Sequence, residues 1–241
     1  MKYLLLILTL LIVSCEAGPR DLRDYYFPVR ELTSGQVYVY QDTEQPNKAA
    51  SHWYYLGNEI DDGLYLSATA YTPLFEPYQQ LTERIYNDGV VLQQLSLDFP
   101  DSTRASRMVD AEILAGNVFP FYLEEEENPA YVTDLQFAIP EPPGGRQLAT
   151  FNRQYLRDTS LEVLGEDREA VVFKMVAEYY VEDEAQGGIP SKIEGYEIYA
   201  IGLGLVETYR ETSGGITLLN EKLVEQISMN ELIERARAIH Q

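Results

Sequence analysis

From residue 25 onward, apolar and polar positions alternate with period two over much of the chain. Val37-Tyr38-Val39-Tyr40 is a β-branched and aromatic run, ended by a polar turn from Gln41 to Lys48 that contains Pro46. Trp53-Tyr54-Tyr55-Leu56 leads to Asp61-Asp62-Gly63, and Leu64 to Tyr71 leads away from it. Asn87-Asp88-Gly89 repeats the device between Glu83–Tyr86 and Val90–Leu97. Asp-Gly between two such runs predicts a hairpin, because both central residues of a type I′ turn need φ > 0. These runs predict a four-strand antiparallel meander.

Arg107 to Phe121 holds strand-like pieces around Gly116, and Glu124 to Pro129 reads as an acidic loop. Pro140 to Gly145 (PEPPGG) is the strongest break, a crossing between two parts of one sheet. Leu148 to Asp158 is ambiguous and admits a helical turn. Ala170–Val181, Lys192–Arg210 and, after Gly214-Gly215, Ile216–Ile227 read as long strand runs. Ser228-Met229-Asn230-Glu231 matches a capping box, followed by the apolar stripe Leu232, Ile233, Ala236 and Ile239. The fold class is therefore mainly β: a curved antiparallel sheet with one C-terminal helix. Half-barrel, open barrel closed by the helix, and two-sheet sandwich all accommodate it.

Composition narrows the partners. The chain has 39 Asp+Glu against 18 Lys+Arg, a net charge of -21, which argues against nucleic acid and against a polybasic membrane patch. One cysteine excludes an internal disulfide and a Cys-based zinc site, and no disulfide-linked partner is expected. That cysteine has a special position. Lys2 precedes an apolar run, Tyr3 to Val13, too short to span a bilayer and patterned like a secretory leader. It ends in Ile12-Val13-Ser14-Cys15, which resembles the lipobox of bacterial lipoproteins. The resemblance implies that residues 1–14 are removed as a signal peptide. Cys15 then carries a diacylglyceryl thioether and usually an amide-linked acyl chain such as palmitate. It also implies that Glu16 favours the outer over the inner membrane, on the periplasmic side or the cell surface. Residues 15–24 would be the lipidated tether and 25–241 a single β-rich domain.

Tyr199-Ala200-Ile201-Gly202-Leu203-Gly204-Leu205-Val206 resembles a strand of uncharacterised periplasmic β-rich proteins, in which the glycine pair lets the strand bend. It lacks the third glycine and the following helix of a dinucleotide loop, so no cofactor is expected. His52 and His240 stand in no metal-ligand or triad spacing and read as exposed or capping residues, and no metal is assigned. Carboxylate pairs (Asp61-Asp62, Asp98 with Asp101, Glu124–Glu127, Glu182-Asp183-Glu184) are abundant enough to arise by chance, and neither longer cluster matches a calcium loop. The aromatic load is the most suggestive feature. Of 19 tyrosines many lie in the N-terminal half, and Trp53, Tyr54, Tyr55, Tyr65 and Tyr71 form the candidate binding face. The expectation is a non-enzymatic, lipid-anchored envelope protein that binds a partner protein or an apolar ligand on its curved sheet. A glycan or peptidoglycan hydrolase with paired carboxylates, and a lipid or lipoprotein carrier, are the alternatives.

Overall fold

The computed structural model describes residues 18–100, 106–123, 128–139, 145–182 and 189–239. The leader, Cys15, Glu124–Glu127, most of the Pro140–Gly145 break, Asp183, Glu184 and His240 lie outside them. Among the described residues the strands follow in chain order as β1 (Arg20–Asp21), β2 (Gln36–Asp42), β3 (Ser51–Ile60), β4 (Gly63–Tyr71) and β5 (Pro77–Ile85). Next come β6 (Gly89–Pro100), β7 (Ser106–Asp110), β8 (Glu112–Pro120), β9 (Tyr122–Leu123) and β10 (Tyr131–Ile139). The last are β11 (Gly145–Val163), β12 (Glu166–Glu182), β13 (Ile189–Ala200), β14 (Gly204–Thr212) and β15 (Thr217–Ile227), before helix α1 (Met229–Ile239).

Chain neighbours pair antiparallel around a ring from β2 to β6, through β8 and β10, to β15. The last strand then pairs with the first: Leu223 lies opposite Tyr40, and Ile227 opposite Val37. Strand β7 extends the line of β8 along β6, and β1 pairs only with β9. The expected half-barrel, open barrel or sandwich is thus a closed twelve-strand barrel. Ring closure removes the two long free edges that a half-barrel or an open barrel would carry, and among the described residues β7 is left with β6 as its strand partner.

The meander and the C-terminal strands stand as expected, with local differences. At the first hairpin Asp61 (φ 47°) and Asp62 (φ 62°) are the left-handed central residues, and Gly63 already pairs with Ile60. At the second, neither Asn87 nor Asp88 is left-handed. Leu148–Asp158 is strand throughout, because it pairs on both sides with β10 and β12. Lys192–Arg210 is two strands, not one. Ala200 pairs with Gly204 across a turn in which Gly202 (φ 73°) and Gly204 (φ 83°) are left-handed, so the glycines reverse the chain instead of bending it.

Helix α1 does not close the barrel. It lies on the outside, where Leu232 is buried against Val37, Val39 and Ile227. The Glu231 amide donates to the Ser228 hydroxyl at 3.2 Å, as a capping residue requires. Only part of the stripe is used, since Ile233 is exposed.

What enters the barrel is the N-terminal segment. The expected tether is folded from Arg20 onward: Arg20 is bound to Asp158, and Leu22 is fully buried with its amide donating to the Phe121 carbonyl. Tyr26, Phe27, Val29 and Leu32 follow it into one end of the barrel as a plug. Phe27 packs on Tyr55 with ring centroids 4.4 Å apart, and Tyr26 on Phe119 at 5.4 Å. Two glycines make the room. A Cβ on Gly57 would stand 1.9 Å from the Val29 carbonyl oxygen, and one on Gly204 would stand 2.6 Å from the Phe27 ring.

Gly57→Leu therefore cannot coexist with a seated plug. Urea unfolding should show a loss of at least ~2 kcal/mol, whereas Gly18→Leu, with open space around it, should leave the midpoint unchanged.

Candidate functional site

Alternation along each strand decides what faces the lumen. In β2, Val37 and Val39 point outward beneath α1, while Tyr38 and Tyr40 point inward. Tyr38 donates to the Leu203 carbonyl at 3.0 Å and Tyr40 to the Leu205 carbonyl at 2.9 Å, so the buried hydroxyls are satisfied by the β13–β14 turn region. The same parity divides the five aromatic residues of the candidate face. Trp53 and Tyr55 line the lumen, their rings near-parallel at 14° and 6.2 Å apart. Tyr54 and Tyr71 pack outside near the helix, and Tyr65 sits outside under the Arg84 guanidinium. The five share no surface. His52, expected to be exposed or a cap, is buried in strand β3 beside Phe75, and burial pushes its pKa down.

Above the plug the lumen keeps a cavity of about 270 Å³. Tyr26 and Phe27 form its floor. Its deep wall residues, such as Tyr40, Tyr55, Glu83 and Tyr199, are buried, whereas Trp53, Gln79, Leu219 and Glu221 toward the other end are half-exposed. The cavity is therefore blind at the plug and opens at the opposite end of the barrel.

Two walls differ in chemistry. Strand β3, with Trp53 and Tyr55, stands six places around the ring from β11, so Trp53 faces Arg153, and the charged arc runs on from there through β13 to β14, three places from β3. Next to Arg153 stand Glu197 on β13 and Arg210 on β14. Arg153 Nε donates to Glu197 Oε2 at 2.8 Å, and an Arg210 amino nitrogen donates to Oε1 at 2.5 Å. The Tyr199 hydroxyl adds a bond to Oε2 at 3.0 Å, and a second Arg153 nitrogen reaches Oε1 at 3.5 Å. Burial alone would raise the Glu197 pKa, but the two guanidiniums win and hold it at about 2.

Glu83 on β5 stands six places from β13, across the lumen from Glu197. It accepts a hydrogen bond from the Tyr26 hydroxyl, and burial pushes its pKa up. These two arginines and two glutamates balance when all are ionised, and Glu221 at the half-exposed mouth is a fifth charged residue of the lining, its pKa pushed up by burial.

None of these four charged residues stands out in the sequence. A charged side chain in an alternating strand reads as solvent-facing, and the usable signal was parity: Arg153 shares its face with Phe151 and Tyr155, and Glu197 with Tyr199. Among the described residues no cluster of His, Cys, Asp or Glu is arranged to hold a metal ion.

No family model matches the sequence, and no curated protein matches it. Two solved structures share the fold. One is a "putative lipoprotein" from Parabacteroides distasonis ATCC 8503, 14% identical, with a TM-score of 0.52 over 86% of this chain and 100% of that one. The other is a "putative exported protein with YmcC-like fold" from Bacteroides fragilis NCTC 9343, 13% identical, with a TM-score of 0.50 over 81% of this chain and 96% of that one.

Glu197→Gln leaves two buried guanidiniums without their counter-ion and should cost about 3–5 kcal/mol in urea unfolding at neutral pH. Glu83→Gln keeps an acceptor for Tyr26 and removes a buried carboxylate, so it should stay within ~1 kcal/mol of wild type. The pH dependence follows from the same groups. Glu197 is depressed in the folded state, so its stabilisation is present above pH 4.5 and is lost as pH falls toward about 2. Glu83 is raised, and its contribution has the opposite sign. The wild type should lose stability through the acid window, and the Glu197→Gln variant should lose less.

Proposed function

We propose that this chain is an exported, lipid-anchored envelope protein that binds a small amphipathic molecule inside its barrel and performs no chemistry on it. The cavity carries the reading: a blind, two-sided pocket above a plug, with one aromatic and one charged wall. The lipobox-like Ile12–Cys15 supplies the anchor, and Glu16 favours the outer membrane. The names of the two structural neighbours, a lipoprotein and an exported protein, agree with an envelope location. The strand exteriors bear charges such as Lys174, Glu178, Lys192 and Glu194, unlike the apolar outer band of a lipid-facing barrel. Attachment therefore rests on the lipid at Cys15. The charged lumen disfavours a carrier of wholly apolar lipid, since the donors and acceptors not used within the cluster would lose their water.

One observation favours glycan hydrolysis as a second reading: two carboxyls, Glu83 and Glu197, face each other with pKa values pushed apart. Against it, both oxygens of Glu197 already accept two hydrogen bonds each, and Tyr26 caps Glu83 at the floor. Structural ion clusters produce the same split.

Cys15→Ala should move the protein from the membrane to the soluble periplasmic fraction, and a variant that stays with the membrane refutes the anchor. Native mass spectrometry of the purified mature protein should show a retained small molecule or one that exchanges in. Release of aglycone from aryl glycosides by the wild type, abolished in Glu83→Gln, would establish the hydrolase instead.

A further inference from the structure

We infer that the lumen ligand is a single neutral sugar ring, stacked on Trp53 and held at its hydroxyls by the charged wall. The inference rests on the lumen being a binding site and assigns its chemical class.

Three observations converge. The first is the mixture of charges. An anion would have to pass Glu221 at the mouth and then meet Glu197 beside Arg153 and Arg210 and Glu83 opposite, and a cation admitted by Glu221 would meet the two guanidiniums. A full charge would also lose its hydration on entering. A neutral ligand avoids both costs and still bonds to charged groups, which make stronger hydrogen bonds than neutral ones.

The second is the asymmetry of the walls. A pyranose has an apolar C–H face and a rim of hydroxyls that donate and accept. Trp53, backed by the near-parallel Tyr55 ring, offers a flat surface on one side. The arc of β11 and β14 offers the guanidinium hydrogens that Glu197 does not take and the Thr208 hydroxyl, while Gln79, on the same side as Trp53, offers a neutral amide that donates and accepts. A fatty chain would use the aromatic wall and strip the water from the guanidinium hydrogens that Glu197 leaves free.

The third is size. About 270 Å³ holds one small ring and not an extended chain. The cavity is blind, so a polymer could place only a terminal residue in it.

Trp53 is the only tryptophan, so its emission reports occupancy directly. The test titrates the mature protein with methyl glycosides of neutral hexoses and of N-acetylhexosamines. Glucuronate, glucosamine, laurate and free nucleosides serve as comparison probes. At least one neutral glycoside should produce a saturable change, and its charged counterpart should bind at least about tenfold more weakly. Gln79→Ala, at the half-exposed rim, should weaken the neutral sugar by about fivefold, the loss of one hydrogen bond. Trp53→Phe should abolish the signal while calorimetry still detects weaker binding. Equal or tighter binding of glucuronate or glucosamine overturns the inference. Saturation by laurate or nucleosides without any sugar also overturns it, but leaves the lumen as a binding site. If no probe binds, the inference and the reading beneath it fall together.

Discussion

Twelve strands closed in one ring enclose more width than their own side chains can fill. Everything else inside this molecule answers that surplus. Large aromatic residues project inward from several strands, and the segment from Leu22 to Leu32 is drawn in to occupy one end. Gly57 and Gly204 give up their side chains so that the segment fits. The space still unfilled is the cavity. It is a remainder of barrel geometry whose walls have been given specific chemistry.

That chemistry is costly to keep. Two guanidiniums and two carboxylates in a lumen lose hydration that their mutual attraction only partly restores, and well-packed apolar residues would stabilise the fold at least as well. Four hydrogen bonds on Glu197 fix the arrangement in one geometry. The exterior shows the reverse policy. Among the described residues many acidic side chains, such as Glu166, Glu178 and Glu182, stand at water-facing positions, where a charge costs little.

Strand identity was legible because the period-two pattern is strong, and the helix start was legible because capping has a local signature at Ser228 and Glu231. Ring closure was not. The Leu223–Tyr40 pairing joins residues at opposite ends of the chain, and no local pattern encodes that partner. The plug escaped notice for a related reason: Arg20 to Asp24 is polar and looks like linker, but Arg20 finds Asp158 and Leu22 finds the core only once the barrel exists. Half of the cavity wall was visible. Trp53 and Tyr55 stood among the candidates, and adjacent Tyr54 had to leave them because neighbouring strand residues point to opposite faces. Glu83, Arg153, Glu197 and Arg210 lay hidden because a charge in a strand is ordinarily an outward one.

The seam between β2 and β15 sets the order of events in folding. The Gln36 side chain donates to the Ile227 carbonyl across a separation of 191 residues, beside the ladder that shuts the ring. A chain that emerges amino end first therefore cannot lock its opening strand until its last one has arrived. Topologies dominated by such distant contacts fold slowly. The delay keeps the chain loose until β15 is made, and lets the ring become rigid only then.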